Sequence, residues 1–538
     1  MWIVPVLLLV ALGGACGAGV RQAADCVSAD ALGVPAFPSQ FHLISASGLE
    51  STVTPSYALN FNVNYFDTYK VVVNRRQSAN ETYVLYQCGT QPPPPSAVPA
   101  GAKFFSVPLS SVSVDETTVV AFMKLLGVSN RITFTSRFAV DACQQSIGFY
   151  GCQQLAPGNP APSASNVNAT LAVRAIANKV DAFFTYGNTA NNMTISVTAS
   201  ADPGVLNRAE WIKYVATFFN VEDKANNIFT QVAQSYASTK AAVANVVASL
   251  PATQQPIVAW LYYLPANPAW GPVFGREVVQ VQLSKYRYQL TQDAGGVMIS
   301  PAAFAPFVDS TNVVDTTVAG LGNINLYNFT TMGQVLRSAL ANVTWVIDET
   351  RYPDVRNQDL TLNNFVSTFG FSAADLASLP FLRDGKIVRV DKESNPDGYT
   401  SWYEMAVARP DQVLMDLANL FHPTALASNA APTFLRSLTA GQVTLASAAQ
   451  CPLINCQAPV TPICPLVFRA CNGSMVIASA AQRCAPSCNT TSTPLPAPPR
   501  PAPPRPAPPR PAPPRPAAPR PGPPRPGPAR PGPTPDLT

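Results

Sequence analysis

Asn207-Arg208-Ala209-Glu210-Trp211-Ile212-Lys213-Tyr214 opens the stretch on which the fold turns, residues 207–243. Apolar side chains recur at Trp211, Tyr214, Val215, Phe218, Phe219, Ala225, Ile228, Phe229, Val232 and Tyr236. Steps of three and four residues put these on one face of a helix. Asn207 is placed to cap its start, and Glu210 three residues later completes a pair like a capping box. Ala- and Val-rich turns carry the pattern to Leu250, where Pro251 stops it. Read as continuous, this helix covers residues 206–250 and is roughly 60 Å long. With strand-and-helix text on each side, it reads as a rigid spine between two lobes.

The first lobe, residues 26–205, alternates element types. Strands are expected at 69–73, 83–87, 104–109, 132–135, 181–184 and 194–198. A helix is expected from Asp115 to Leu126, closed by Gly127, and another over 169–180. The second lobe, residues 251–425, repeats the scheme, with strands at 256–263, 343–347 and 387–390 and a helix at 332–340. Residues 277–290 read as a helix, while 278–283 also alternate like a strand, and both readings stay open. The expected fold class is α/β: two lobes, each with a mostly parallel sheet flanked by helices, joined by one long helix. A body of roughly 400 residues matches a two-domain chain with separate cores.

Residues 1–18 read as a secretory signal peptide, apolar over 3–12 and small-residued from Gly13 to Ala18. The apolar run is too short to span a membrane. Eleven cysteines agree with an oxidising compartment. Cys16 goes with the signal. Cys26, Cys88, Cys143 and Cys152 fall in the first lobe, and Cys451, Cys456, Cys464, Cys471, Cys484 and Cys488 in the short segment 451–488. Even numbers in each block predict disulfides within blocks, with Cys143 and Cys152 near enough to bridge locally. No CxxC pair occurs, and two histidines, His42 and His422, do not make a zinc set. Asn80, Asn168, Asn192, Asn328, Asn342, Asn472 and Asn489 open glycosylation sequons.

From Thr493 to Thr538 the chain repeats Pro-Ala-Pro-Pro-Arg, with seven regularly spaced arginines. Such sequence adopts extended polyproline II, roughly 130 Å long, and has nothing to bury. Its composition resembles the hydroxyproline-rich stalks of algal and plant wall glycoproteins. The tail holds seven Arg and one Asp, so without it the net charge of +5 becomes −1. The body therefore offers no argument for nucleic acid. The tail arginines suit acidic wall polysaccharide.

Four pieces, in order, carry a further resemblance: Val120-Ala-Phe-Met-Lys-Leu-Leu-Gly-Val-Ser-Asn-Arg-Ile132, Glu210-Trp211 through Asn226, Asp293-Ala-Gly-Gly296, and Asp416-Leu-Ala-Asn-Leu-Phe-His-Pro423. Over residues 26–423 the chain resembles the periplasmic binding proteins of the helical-backbone class, which carry siderophores, haem, cobalamin or metals to ABC importers. The resemblance implies a small-molecule ligand such as a ferric chelate, haem or cobalamin, and a membrane transporter as partner.

Ligands of open α/β sheets bind beyond the carboxyl ends of the strands, which in two facing lobes make a cleft. The strand readings give Thr90, Arg137, Tyr263, Trp270, Asp293, Glu349 and Arg351 as ligand-binding candidates. Ser110, Tyr186, Asp202, Tyr399 and Trp402 lie near the same ends. Aromatic rings there suit an apolar chelate, and arginines suit its carboxylates or phosphates. With two histidines and no Gly-rich phosphate loop, catalysis is not expected. The alternative is a structural hydroxyproline-rich wall glycoprotein with no small ligand.

Overall fold

The computed structural model describes Cys26, residues 52–451 with intervening gaps (the longest at 151–179 and 267–276), and strands Val467–Arg469 and Met475–Ile477. All of these lie in one unit, residues 1–486. The signal segment, the tail, and Cys152, Cys456, Cys464, Cys471, Cys484 and Cys488 lie outside the described residues.

The first lobe holds two sheets. β1 (Phe61–Tyr65), β2 (Tyr69–Arg75), β3 (Asn80–Gln87) and β4 (Lys103–Val107) form one in that order. β1, β2 and β3 are antiparallel, and β4 runs parallel to β3. The links 66–68 and 76–79 are far shorter than the dozen residues a parallel crossover needs, so hairpins result. β5 (Val112–Val114), β6 (Ile132–Thr135), β7 (Ala182–Thr185) and β8 (Thr194–Ser196) form the second, in the order β6-β5-β7-β8, with every pair parallel. The helix Thr117–Leu126 crosses from β5 to β6 and ends at Gly127, whose φ of 70° is left-handed. Gly127 donates to Lys124 O and Val128 to Met123 O, the paired bonds of a Schellman cap.

The second lobe is built on one mixed sheet of eight strands. These are β9 (Ile257–Leu264), β10 (Val278–Gln282), β11 (Val297–Met298), β12 (Val313–Thr316), β13 (Asn323–Leu326), β14 (Trp345–Asp348), β15 (Ile387–Arg389) and, after the small β16 (Glu393–Ser394), β17 (Arg436–Ser437). The order is β12-β13-β10-β9-β14-β15-β17, with β11 beside β9. β9, β11, β14 and β15 are parallel, whereas β10, β12, β13 and β17 add antiparallel partners. The stretch 277–290 holds both elements its pattern allowed: β10, then the helix Lys285–Asp293.

Strand alternation places helices on both faces of this sheet. Val258, Trp260, Ile347 and Val388 enter one core with Tyr286, Leu290, Leu414, Leu417 and Phe421. Their neighbours Ala259, Leu261, Val346 and Ile387 enter another with Met332, Val335, Leu336, Phe365 and Phe381. Each such fully buried Phe or Leu contributes about 1.5–3 kcal/mol. The first of these cores also contains Trp211, Tyr214, Phe122, Phe184 and Val112, so it runs unbroken from the first lobe into the second. Separate cores were expected; one is shared.

The expected helix over 206–250 is three helices: Val205–Ala209, Trp211–Thr217 and Glu222–Val247. The last has 26 residues, about 39 Å. The break contains Asn220 at φ 55°. Lys70, fully buried, reaches into it and donates to Thr217 O at 2.7 Å and Asn220 Oδ1 at 2.8 Å, and it pairs with Glu222. A buried ammonium needs oxygen partners, and an unbroken helix has no carbonyl to spare. The apolar rhythm persists because Phe218 and Phe219 stay buried through the break. Asn207 is not a cap; its amide donates to Tyr57 O, and Glu210 accepts from the backbone of residues 56–58.

Two disulfides join described residues: Cys26–Cys88 and Cys143–Cys451. The second links the two cysteine blocks across 308 residues, against the expectation of pairing within blocks. The chain past residue 425 folds back to make this possible. β17 adds to the large sheet, β18 (Thr444–Leu445) pairs with β16, and Gln145 Nε2 donates to Ala446 O at 2.9 Å. Residues 434–446 thus belong to the second lobe, which extends beyond the expected limit of 425.

Candidate functional site

Parallel strands deliver their following residues to one end of a sheet. The ends of β9, β14 and β15 are followed by Pro265, by Glu349-Thr350-Arg351 and by Val390, and these meet in a cavity of about 410 Å³. Phe138, three residues past β6 of the first lobe, completes its wall. The cavity therefore sits between the lobes, beyond the carboxyl ends of strands from both.

Aromatic rings make much of the lining: Phe138, Tyr262, Tyr399 and Tyr403. Phe138 meets Tyr399 edge-on at 4.4 Å. The exposed Arg351 guanidinium stacks on the Tyr399 ring at 4.2 Å and donates to Asp397 O at 3.0 Å. Glu349 is buried and fully engaged, accepting from Arg287 Nε at 2.5 Å and Nη2 at 2.6 Å, with Tyr403 Oη at 3.3 Å. Beneath it Arg389 pairs with Asp348 and with Asp391 at 2.7 Å, and Arg436 donates to Asp391 at 2.6 Å. Thr400 Oγ1 is buried with no hydrogen-bond partner among the described residues.

Of the expected ligand-binding residues, the cavity brings together Glu349 and Arg351, with Tyr399 beside them. Tyr263 lies one residue off: Tyr262 lines the cavity, while Tyr263 turns the other way, to Glu277 and Phe329. Asp293 accepts from Tyr236 Oη and pairs with Lys240, both at 2.8 Å, tying the second lobe to the long helix. Thr90 Oγ1 donates to Gln87 O, closing the turn after β3. Ser110 donates to Asp181, Asp202 accepts from Trp211 Nε1, and Trp402 is buried against Trp260. Tyr186 is exposed. Arg137 and Trp270 lie outside the described residues. The lining residues that the sequence reading passed over include Phe138, Tyr262, Tyr403, Arg389, Asn357 and Thr400. The first three are neighbours in sequence of Arg137, Tyr263 and Trp402.

A cross-lobe contact lies beside the cavity, one residue past Tyr403 of its lining. Glu404 is buried and accepts from the backbone of Val140 at 2.7 Å and Asp141 at 3.0 Å, in the other lobe. Burial pushes its carboxyl up to about 8, and burial with the neighbouring Glu116 pushes Asp115 up to about 7. Both groups bind a proton in the folded chain at pH values where the unfolded chain has lost it. Their stabilising contribution is complete below the ordinary carboxyl range and is lost as pH rises through about 7 to 8. The melting temperature is expected to fall between pH 5 and pH 8.5, and Glu404→Gln to flatten that fall. An unchanged slope in the variant contradicts this assignment.

Among the described residues no group of three or more His, Cys, Asp and Glu is placed to hold a metal ion. No helix among them is long and apolar enough to cross a membrane. Asn80, Asn192 and Asn342 are exposed.

No family model matches the chain, and no curated protein matches it. Solved structures to which it is similar include a periplasmic heme binding protein from Pseudomonas aeruginosa, at 13% identity and TM-score 0.38, covering 62% of this chain and 98% of that one. A periplasmic binding protein from Veillonella parvula is 10% identical with TM-score 0.41, covering 67% of this chain and 100% of that one. An ABC-type Fe3+-hydroxamate transport system protein from Saccharomonospora viridis is 14% identical with TM-score 0.38, covering 59% and 95%. The first two are periplasmic binding proteins, the broader kind that the sequence pieces resemble.

Proposed function

We propose that this chain is an exported solute-binding protein that captures a small ligand in the cleft between its two lobes. The observation that carries the reading is the cavity at the strand ends, walled by four aromatic rings with the exposed Arg351 guanidinium among its lining residues. Its volume of about 410 Å³ lies within the usual range for small-ligand sites. Aromatic walls with one accessible cation fit a compact apolar chelate bearing carboxylate or phosphate groups. A ferric chelate, or part of a haem-like or cobalamin-like compound, is the ligand class this favours.

The same geometry favours binding over catalysis. Asp348 and Glu349, adjacent at the end of β14, are each paired with an arginine, Arg389 and Arg287. Neither is left as a free acid or base for a carboxylate mechanism. The exposed sequons and the signal-like start support export, and the Pro/Arg tail supports retention in a wall. Delivery to a membrane transporter is the further step that the sequence resemblance implies.

Titration calorimetry with ferric siderophores, haem and cobalamins tests the site. Arg351→Ala is expected to weaken the bound member of that panel about tenfold or more, as loss of a charge-assisted hydrogen bond does. Asp293→Asn is expected to leave the affinity unchanged. Equal affinities in wild type and Arg351→Ala place the ligand elsewhere.

A further inference from the structure

One short run of the first lobe, residues 138–146, receives polar contacts from two separate segments of the second lobe beside the cleft, while Thr117 and Thr118 add hydroxyl contacts to Tyr403 O. From one side come the residues around the cavity. Asn395 Nδ2 donates to Ala139 O at 3.1 Å, Glu404 accepts from Val140 and Asp141, and Tyr399 packs on Phe138. From the other side comes the strap 434–451. Gln145 Nε2 donates to Ala446 O at 2.9 Å, Ser146 Oγ donates to Cys451 O at 3.3 Å, and Cys143 is disulfide-bonded to Cys451. The strap is itself anchored in the second lobe through β17 on β15 and β18 on β16, and β16 leads into the loop that carries Tyr399.

We infer that Cys143–Cys451 is a covalent latch that holds the two lobes at a fixed aperture, so that the cleft is preset and does not close by hinge motion. The shared core and the broken spine make the lobes one packed body, and the latch removes the remaining freedom at the cavity's edge. A disulfide holds two segments together through every local opening that leaves the rest of the fold intact. Its two ends sit on opposite lobes: Cys143 in the helix Ala142–Tyr150 and Cys451 at the end of the strap. The inference concerns motion of the lobes and holds whether or not a small ligand occupies the cleft.

The test is amide hydrogen exchange on the full chain without ligand, comparing wild type, Cys143→Ser/Cys451→Ser, and Cys26→Ser/Cys88→Ser. Mutation is preferred to a thiol reductant, which also attacks Cys26–Cys88. In the latch variant, exchange in residues 138–146 and 393–404 is expected to rise about tenfold or more, with strands β2 and β3 unchanged. The Cys26→Ser/Cys88→Ser variant is expected to leave 393–404 as in wild type. A folded latch variant with unchanged exchange at 138–146 and 393–404 overturns the inference. If the latch variant fails to fold, Cys26→Ser/Cys88→Ser is compared before and after treatment with a thiol reductant, which in that background no longer reaches Cys26–Cys88. A rise in exchange at 138–146 and 393–404 on reduction then supports the latch, and no rise overturns it. A latch confirmed here with no ligand found by calorimetry refutes only the binding proposal.

Discussion

Arg389→Met is expected to destabilise the body by about 3–5 kcal/mol, the usual cost of removing one partner from a buried charge network. Arg389 is 1% exposed and stands between Asp348 and Asp391, each 0% exposed. It pairs with Asp348, donates to Asp391 at 2.7 Å, and gives its remaining arm to Thr350 O at 2.8 Å. Burial alone raises the Asp348 carboxyl, and Arg389 is the first charge set against that. The methionine leaves Asp348 with Tyr352 and Thr350 as neutral donors and no cation. Arg436→Met is expected to cost less, since Asp391 keeps Arg389. Urea unfolding of the two variants checks the order, and a loss under about 1 kcal/mol for Arg389→Met contradicts the network's role.

The second large effect is expected at Glu210, whose carboxylate is fully buried. It accepts from the backbone of Ser56 at 2.9 Å, Tyr57 at 2.6 Å and Ala58 at 2.7 Å, and it pairs with Lys213 at 2.8 Å. These bonds hold the segment that leads into β1 against the start of the spine. Glu210→Ala orphans three amides and a lysine that is itself largely buried, at a cost of about 3–4 kcal/mol. Protease cleavage within residues 52–60 is expected to appear well before cleavage of the sheet strands. Glu210→Gln retains an acceptor and is expected to lose less. If Glu210→Ala melts with wild type and resists cleavage there, the anchoring role is wrong.

What the sequence made legible was local. The helix closed by Gly127, the strand at 132–135, the apolar strand of β9 and the α/β class all follow from periodicity, turn chemistry and β-branched runs within a dozen residues. What it hid depended on partners far along the chain. The spine breaks at Asn220 because Lys70, roughly 150 residues earlier, takes its oxygens, and no window of helical periodicity contains Lys70. Cys143 bridges to Cys451 because the chain beyond 425 returns to the large sheet, a tertiary event that counting cysteines by block does not see. At the cleft, strand ends located Glu349 and Arg351. Parity was the harder matter: period-two alternation says that Tyr262 and Tyr263 face apart, but not which of them faces the other lobe. Glu349 also shows the limit of reading residue type alone. As an isolated carboxylate it suggests a ligand contact; in the fold it is fully engaged by Arg287.

Thermal melting of the whole chain, disulfides intact, against ferric siderophores, haem, cobalamins and free metal ions tests the binding claim most directly. A ligand that binds only the folded form adds about 2.7 kcal/mol at a hundredfold excess over Kd. The account predicts a saturable rise in Tm for one chelate class, present in Asp293→Asn and lost in Arg351→Ala. No shift across the panel contradicts it and leaves the cleft as an interior feature of a structural wall glycoprotein.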